Sequence, residues 1–88
     1  MSYRVEYAPS ARRALSQDLP ESVAAAAYEF IEGALAENPH RVGKPLRDSM
    51  EGLHSARRGD YRVVYEIHET RVVVRVVRVQ HRRDVYRP

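Results

Sequence analysis

Residues 57–87 of this 88-residue chain read RRGDYRVVYEIHETRVVVRVVRVQHRRDVYR, two β-rich runs joined by a short polar connector. In the first run, residues 61–67, alternate side chains are apolar, which predicts a strand with one apolar face. The second run, residues 72–79, has valine on both faces and predicts an interior strand covered on two sides. The connector around residues 68–70 lacks an Asn-Gly or Asp-Gly pair, so the two strands are expected to form a hairpin with a longer or irregular turn.

The upstream sequence predicts elements that support this hairpin. Residues 3–7 alternate weakly before Pro9, which favours a short first strand. Ser10 is expected to cap a first helix, and Pro20 is expected to end it and to take the first position of a second helix. In that second helix the apolar residues follow helical spacing over residues 23–35.

The middle of the chain predicts a surface connection and one more strand. The pair Asn38 and Pro39 ends the second helix, and residues 39–52 contain the glycine, proline and charged residues that are typical of an exposed loop. Residues 53–57 are expected to form a strand that turns tightly through an Arg-Gly-Asp segment into the hairpin. The resulting order, β-α-α-β-β-β, predicts an α+β fold in which residues 1–88 form one domain. Its small mixed, mainly antiparallel sheet is expected to carry an αα-hairpin on one face.

Composition is that of an ordinary globular protein, with 43% hydrophobic and 31% charged residues. No apolar run approaches the length of a membrane span, and residues 1–20 lack the apolar centre of a signal peptide, so a cytoplasmic location without membrane contact is expected. The absence of cysteine excludes disulfides, thiolate chemistry and cysteine-based zinc sites. The four scattered histidines predict no metal site, and no cofactor is expected.

The charge distribution is more informative than the net charge of +3. Residues 1–43 carry four basic and six acidic side chains, whereas residues 44–88 carry eleven basic and six acidic ones. A basic half on an otherwise mixed chain indicates an anionic partner, either a nucleic acid or an acidic protein.

Five segments, taken in their order and spacing, carry a family likeness: YAPSARRAL (7–15), NPHRVGKPLR (38–47), EGLHSARRGDYR (51–62), GDYRVVYEI (59–67) and VVVRVVRVQHRRDVYR (72–87). Together they resemble the RelE/ParE superfamily of toxin–antitoxin toxins, on the RelE side, over almost the whole chain. The fold order predicted above is also the order of RelE-like toxins.

The resemblance implies cleavage of messenger RNA in the ribosomal A site, by attack of a ribose 2′-hydroxyl on the adjacent phosphate without a metal. RelE-like ribonucleases carry an arginine in the strand that reads YRVVY here, an arginine after the last strand and a terminal tyrosine. These roles fall on Arg62, Arg82 and Tyr86. The strand alternation points Arg62 away from the helices, where no remaining element is large enough to bury it. Tyr86 is a candidate proton carrier if the arginines around it lower its pKa.

The chain departs from the best-studied pattern, in which lysines precede the strand arginine, because Leu53 and Ser55 occupy those places. His54, Arg57 or His81 are candidate substitutes, since a histidine that titrates near neutrality serves as an acid or a base. Arginine stays protonated and supplies only fixed charge.

Four further basic residues are expected to form an RNA-binding or ribosome-binding surface: Lys44, Arg47, Arg57 and Arg58. Each assignment has a simpler alternative. Arg62 could pair with a nearby Asp or Glu, the C-terminal tyrosine could close the core, and the loop histidines and basic residues could be merely solvated.

The resemblance also implies a cognate antitoxin, RelB-like or Phd-like, that would be acidic where it covers the basic surface in a hetero-oligomer, with the ribosome and messenger RNA as the other partners. Two other functions remain open. One is a ParE-like toxin that inhibits DNA gyrase by binding, without nuclease activity. The other is an inactive relative that acts only as a binding module.

Overall fold

The computed structural model describes residues 2–46 and 52–81, and in this part of the chain a five-stranded sheet is covered by helices on one face. The strands lie in the order β1-β5-β4-β3-β2. Only β1 runs parallel to its neighbour β5, and the other described pairs are antiparallel. The strands are β1 (Arg4–Tyr7), β2 (Lys44–Pro45), β3 (His54–Arg58), β4 (Tyr61–His68) and β5 (Val73–His81).

Three helices precede β2, and each of the first two ends in a wider π-helical segment. The helices are α1 (Pro9–Arg13), which continues as Ala14–Asp18, α2 (Glu21–Phe30), which continues as Ile31–Leu35, and α3 (Pro39–Val42). The predicted α+β fold, with an αα-hairpin on one face of a mixed and mainly antiparallel sheet, is confirmed. None of the helices in the described ranges has the length and apolar character needed to cross a bilayer.

The core lies between the helices and one face of the sheet. The helices contribute small and branched residues that allow a close approach, and the sheet contributes the alternating apolar face of β4 together with valines of β5. The main contributors are Ala11, Leu15, Ala27, Phe30, Ile31, Leu35, Tyr61, Val63, Tyr65, Val74, Val76 and Val79. The predicted inward face of residues 61–65 is therefore confirmed.

A β-bulge in β5 explains why its valines occupy both faces in the sequence. Tyr65 pairs with Val76 and Val64 pairs with Arg78, which leaves Val77 as an extra residue. The alternation of side chains consequently changes phase at Val77. Before Val77 the even-numbered residues of β5 face the helices, and after it the odd-numbered residues do. β5 is an interior strand, as predicted, although the valine pattern results partly from the bulge.

Three sequence predictions about element boundaries were wrong. Ser10 lies inside α1, where its hydroxyl donates to the backbone carbonyl of the bulged Val77 at 2.7 Å instead of capping the helix. Pro20 directly precedes α2 and is not its first residue. The segment after Asn38, expected to be a loop throughout, contains α3 and the short edge strand β2.

The two predicted turns of the sheet are confirmed. Gly59 and Asp60 join β3 to β4, and Gly59 has a positive φ of 52°, a conformation that glycine adopts without steric cost. The connection from β4 to β5 is irregular, because Val72 also has a positive φ of 54°. A β-branched residue in that conformation is strained.

Candidate nucleic-acid interface

The sheet face opposite the helices, called the open face here, carries a cluster of basic side chains. Residues that pair across neighbouring strands point to the same side of a sheet. One row therefore contains Arg57, Arg62 and Gln80, and the next contains Lys44, Ser55, Val64 and Arg78. We call Lys44, Arg57, Arg62 and Arg78 the cationic patch. Its two rows cross β2, β3, β4 and β5, so rigid strands fix the spacing of the charges.

Arg62 is half-buried on this face, and its guanidinium has a neutral partner. Its Nη2 donates a hydrogen bond of 3.1 Å to Oε1 of Gln80 on β5. Its Nε is shielded from solvent and has no hydrogen-bond partner among the described residues. The prediction that Arg62 points away from the helices is confirmed, and its side chain is not fully buried there, although its Nε is shielded.

The other end of the open face carries carboxylates. Glu6, Arg75 and Glu66 form a row across β1, β5 and β4. Oε2 of Glu6 accepts a hydrogen bond of 3.0 Å from Nη2 of Arg71, and Oε1 of Glu66 lies 3.0 Å from Nε2 of His68. The ion pairs found in residues 2–46 and 52–81 all involve Glu6, Glu66 or Glu69, and none of them includes a residue of the cationic patch. No acidic side chain of the described residues therefore forms an ion pair at the end of the open face that contains Arg57 and Arg62.

His54 lies on the helix side of the sheet, away from Arg62. It pairs with Tyr65, its ring stacks on the Tyr65 ring with centroids 5.6 Å apart, and the ring of His40 is 6.0 Å away. Burial lowers the pKa of His54, and the neighbouring His40 lowers it further. The structure does not bring His54 together with Arg62, which corrects the expectation that both lie at one site.

The remaining predicted residues fall into three groups. Arg58 lies on the helix side, with its guanidinium 4.7 Å above the Phe30 ring, so it is separated from Lys44 and Arg57. His81 ends β5 opposite the core residue Tyr61, so it lies on the helix side, which corrects the expectation that it shares a site with Arg62. Arg47, Arg82 and Tyr86 lie outside the described residues.

Gln80 is the site residue that sequence reasoning missed. An amide between valine and histidine carries no motif, and the phase change at Val77 hides the face to which it points. The two-residue alternation of a strand predicts that Gln80 faces the same side as Arg62 only when the position of the bulge is already known.

The cationic patch can hold an anion in place and can stabilise negative charge that develops on it. Planar guanidinium groups suit phosphate oxygens, and arginine keeps its proton at all physiological pH values. The patch itself therefore supplies fixed charge, and any proton transfer beside it needs another side chain.

Comparison with known proteins identifies the family. The family model described as the ParE toxin of the type II toxin–antitoxin system parDE matches residues 5–86. The Mycobacterium tuberculosis protein named Toxin RelE is 53% identical over 97% of this chain and 87% of its own length. The chain belongs to the RelE/ParE superfamily of type II toxins.

Two further relatives place this RelE/ParE chain on the RelE side of the superfamily. Toxin RelG of M. tuberculosis is 47% identical over 99% of both chains. The toxin–antitoxin complex RelBE2 from the same organism contains a chain that is 45% identical, covers 96% of this one and 95% of its own length, and superposes with a TM-score of 0.90. The fold predicted from the quoted segments is therefore that of the superfamily.

Proposed function

We propose that this toxin is a ribosome-dependent endoribonuclease that cleaves messenger RNA in the ribosomal A site. The observation that carries the proposal is the cationic patch on the open face, in which Arg62 has no carboxylate partner among the described residues. The relatives named Toxin RelE and Toxin RelG, which are 53% and 47% identical to this chain, also support a RelE-type activity. A ribosomal target places the action of the toxin in the cytoplasm.

In the proposed reaction, the ribose 2′-hydroxyl attacks the neighbouring phosphorus and the 5′-oxygen of the next nucleotide leaves. The products are a 2′,3′-cyclic phosphate and a 5′-hydroxyl end. Charge builds on the non-bridging oxygens in the transition state, and fixed guanidinium groups stabilise it there. We assign this role to Arg62, with Arg82 as a second cation, and no metal is required.

Proton transfer needs a group other than arginine. We assign Tyr86 as the proton carrier. His81 was the other candidate, but it pairs with the core residue Tyr61 and therefore lies on the helix side of the sheet, away from Arg62. His54 lies on the helix side of the sheet, stacked on Tyr65, so we assign it a structural role.

We also propose a cognate antitoxin that covers the cationic patch. The similar M. tuberculosis chain comes from a complex named RelBE2, a toxin with its antitoxin. A RelB-like partner with acidic residues over Arg57 and Arg62 would neutralise the patch and exclude RNA, which gives a hetero-oligomer with no nuclease activity.

The test is primer extension on a messenger RNA translated in a reconstituted system. The wild-type toxin should cut within codons only when ribosomes are present. Arg62→Ala and Arg82→Ala should each cut about 100-fold more slowly, as expected for loss of one charge that acts on the transition state. Arg13→Ala removes the same charge from an exposed position on α1 and should cut like the wild type.

The second candidate is inhibition of DNA gyrase by binding, and the match to the ParE toxin model favours it. A wild-type toxin that leaves messages intact on ribosomes but blocks supercoiling by gyrase would establish this function and reject the nuclease. Arg62→Ala and Lys44→Ala separate the two functions, because a binding inhibitor has no reason to depend on Arg62 more than on Lys44 of the same cationic patch.

A further inference from the structure

Arg57 and Arg62 form a like-charge pair that makes no ion pair with a carboxylate of the described residues. They are direct cross-strand partners on β3 and β4 and point to the same face. Side chains in such positions start about 5 Å apart at their Cβ atoms, and two positive charges placed there repel each other. No ion pair found in residues 2–46 and 52–81 includes either of them. The free protein therefore carries a repulsion that a bound anion would remove.

The partner of Arg62 is an amide rather than an acid. Gln80 accepts a hydrogen bond from Nη2 of Arg62 at 3.1 Å. A glutamate in this position would hold the guanidinium equally well but would cancel its charge. A glutamine orients the group and leaves the charge available. The bulge at Val77 is what brings Gln80 to this face, because without the phase change position 80 would face the helices.

We infer that Arg57 and Arg62 together form a site for a single phosphate group, and that Gln80 is the positioning residue that holds Arg62 in it. The inference deepens the proposed nuclease function and rests on it for the identity of the substrate. The phosphate lies between the two guanidinium groups on the open face, with Arg57 on one side and Arg62 on the other. The three residues come from β3, β4 and β5, so the site has the rigidity of the sheet.

The probe is inorganic phosphate, and the readout is the thermal unfolding temperature, Tm, of the free toxin at constant ionic strength, with chloride as the reference anion. An anion that binds only the folded state raises Tm in a saturable way. The wild type should show this rise. Arg57→Gln should require at least a tenfold higher phosphate concentration for the same rise, while its Tm without phosphate should equal or exceed that of the wild type because the repulsion is gone.

Two substitutions at Gln80 separate positioning from simple packing. Gln80→Leu keeps the size but removes the acceptor, and it should weaken the response to phosphate. Gln80→Glu keeps the acceptor and adds a charge, so it should raise Tm without phosphate and abolish the response. If Gln80 served only in packing, Gln80→Glu would leave the rise of Tm with phosphate unchanged. Arg13→Ala, with the same loss of charge on α1, should respond like the wild type.

The outcomes for this site and for the nuclease are distinguishable. If the wild type fails to cut messages but phosphate raises its Tm through Arg57 and Gln80, the anion site stands and the nuclease function fails. If the wild type cuts but phosphate shifts the Tm of wild type and Arg57→Gln equally, or shifts neither, the two-arginine site is wrong. In the cleavage assay, Gln80→Leu should lower kcat at least tenfold with little change in KM, because the RNA is also held by the ribosome.

Discussion

Gly43 illustrates how a single residue limits what the sheet edge can accommodate. A Cβ atom added there would lie 2.2 Å from the Tyr65 hydroxyl oxygen and 2.7 Å from the backbone oxygen of Ser55. The position does not need a positive φ, so space alone requires glycine. Gly43→Ala should lower the free energy of unfolding by about 1–3 kcal/mol, measured by urea titration, because the core around it is already packed.

Gly33 provides the matched control. It lies in the helical segment Ile31–Leu35, and an added Cβ would meet nothing within 4 Å. Gly33→Ala should therefore stabilise the protein by about 0.4–1 kcal/mol through the unfolded chain. Equal effects of the two substitutions would show that the close approach at Gly43 is not important.

The neighbour of Gly43, Tyr65, makes the effect testable as a coupling. Its hydroxyl donates to the Pro39 carbonyl at 2.6 Å, and burial raises the pKa of Tyr65 to about 12, so the donor keeps its proton at neutral pH. Tyr65→Phe alone should cost about 0.5–1.5 kcal/mol. In the Phe background Gly43→Ala should cost less than in the wild type, since the nearest atom is removed. Strict additivity in this double-mutant cycle would contradict the contact.

At the scale of elements, α3, β3 and β4 meet in an aromatic stack that responds to pH. His54 stacks on Tyr65 and faces His40, and its Nδ1 is buried without a hydrogen-bond partner in residues 2–46 and 52–81. Its pKa in the folded protein is lowered from 6.5, by burial and then by His40. The unfolded state thus binds the proton more readily, so stability is full above pH 6.5 and declines as the pH falls below it.

His54→Phe keeps the ring and removes the titration. Its Tm should fall less than that of the wild type between about pH 7.5 and pH 5.5, measured by calorimetry. Glu69, which contacts His40, does not affect the comparison in this pH range. Its pKa is lowered from 4.5, so its contribution to stability is lost only at more acidic pH. If the wild type and His54→Phe lose equal stability over this range, the His54 stack does not titrate as described.

The elements that periodicity defines well were predicted from the sequence, and those set by contacts elsewhere were not. β4 has a two-residue alternation over its length and α2 has helical spacing, so both were expected at nearly their observed positions. The bulge at Val77 depends on pairing with a distant strand, and the hydroxyl of Ser10 is used by that bulge instead of by the helix end. Neither dependence is visible in local sequence.

The residues of the candidate site were likewise predicted only where local alternation defines their direction. The alternation of β4 correctly directed Arg62 to the face without helices. His54 was grouped with it as a substitute for the lysines absent at the neighbouring positions 53 and 55, but β3 alternates as β4 does, and His54 pairs with the core residue Tyr65. Nearness along a strand therefore says little about a shared site unless the parity of the positions is followed as well.

For the whole molecule, the uneven charge of the sequence becomes a difference between two faces. Lys44 and Arg78 lie in one row of the open face, whereas Arg12 and Arg13 are exposed on α1 in the helical layer. A partner with a phosphate backbone that binds the open face should release counterions in proportion to the charges there, and the helical layer should not contribute. The salt dependence of binding therefore reports which face is used.

The probe is a 2′-O-methyl RNA of about ten nucleotides, which lacks the attacking hydroxyl and is not cleaved. In the Lys44→Ala, Arg78→Ala double mutant the slope of log K against log salt should become shallower by about 1.4, since each phosphate contact on a single strand contributes about 0.7. The Arg12→Ala, Arg13→Ala double mutant has the same net charge and should keep the wild-type slope. An equal loss in both double mutants would mean that the RNA follows overall charge and does not select the open face.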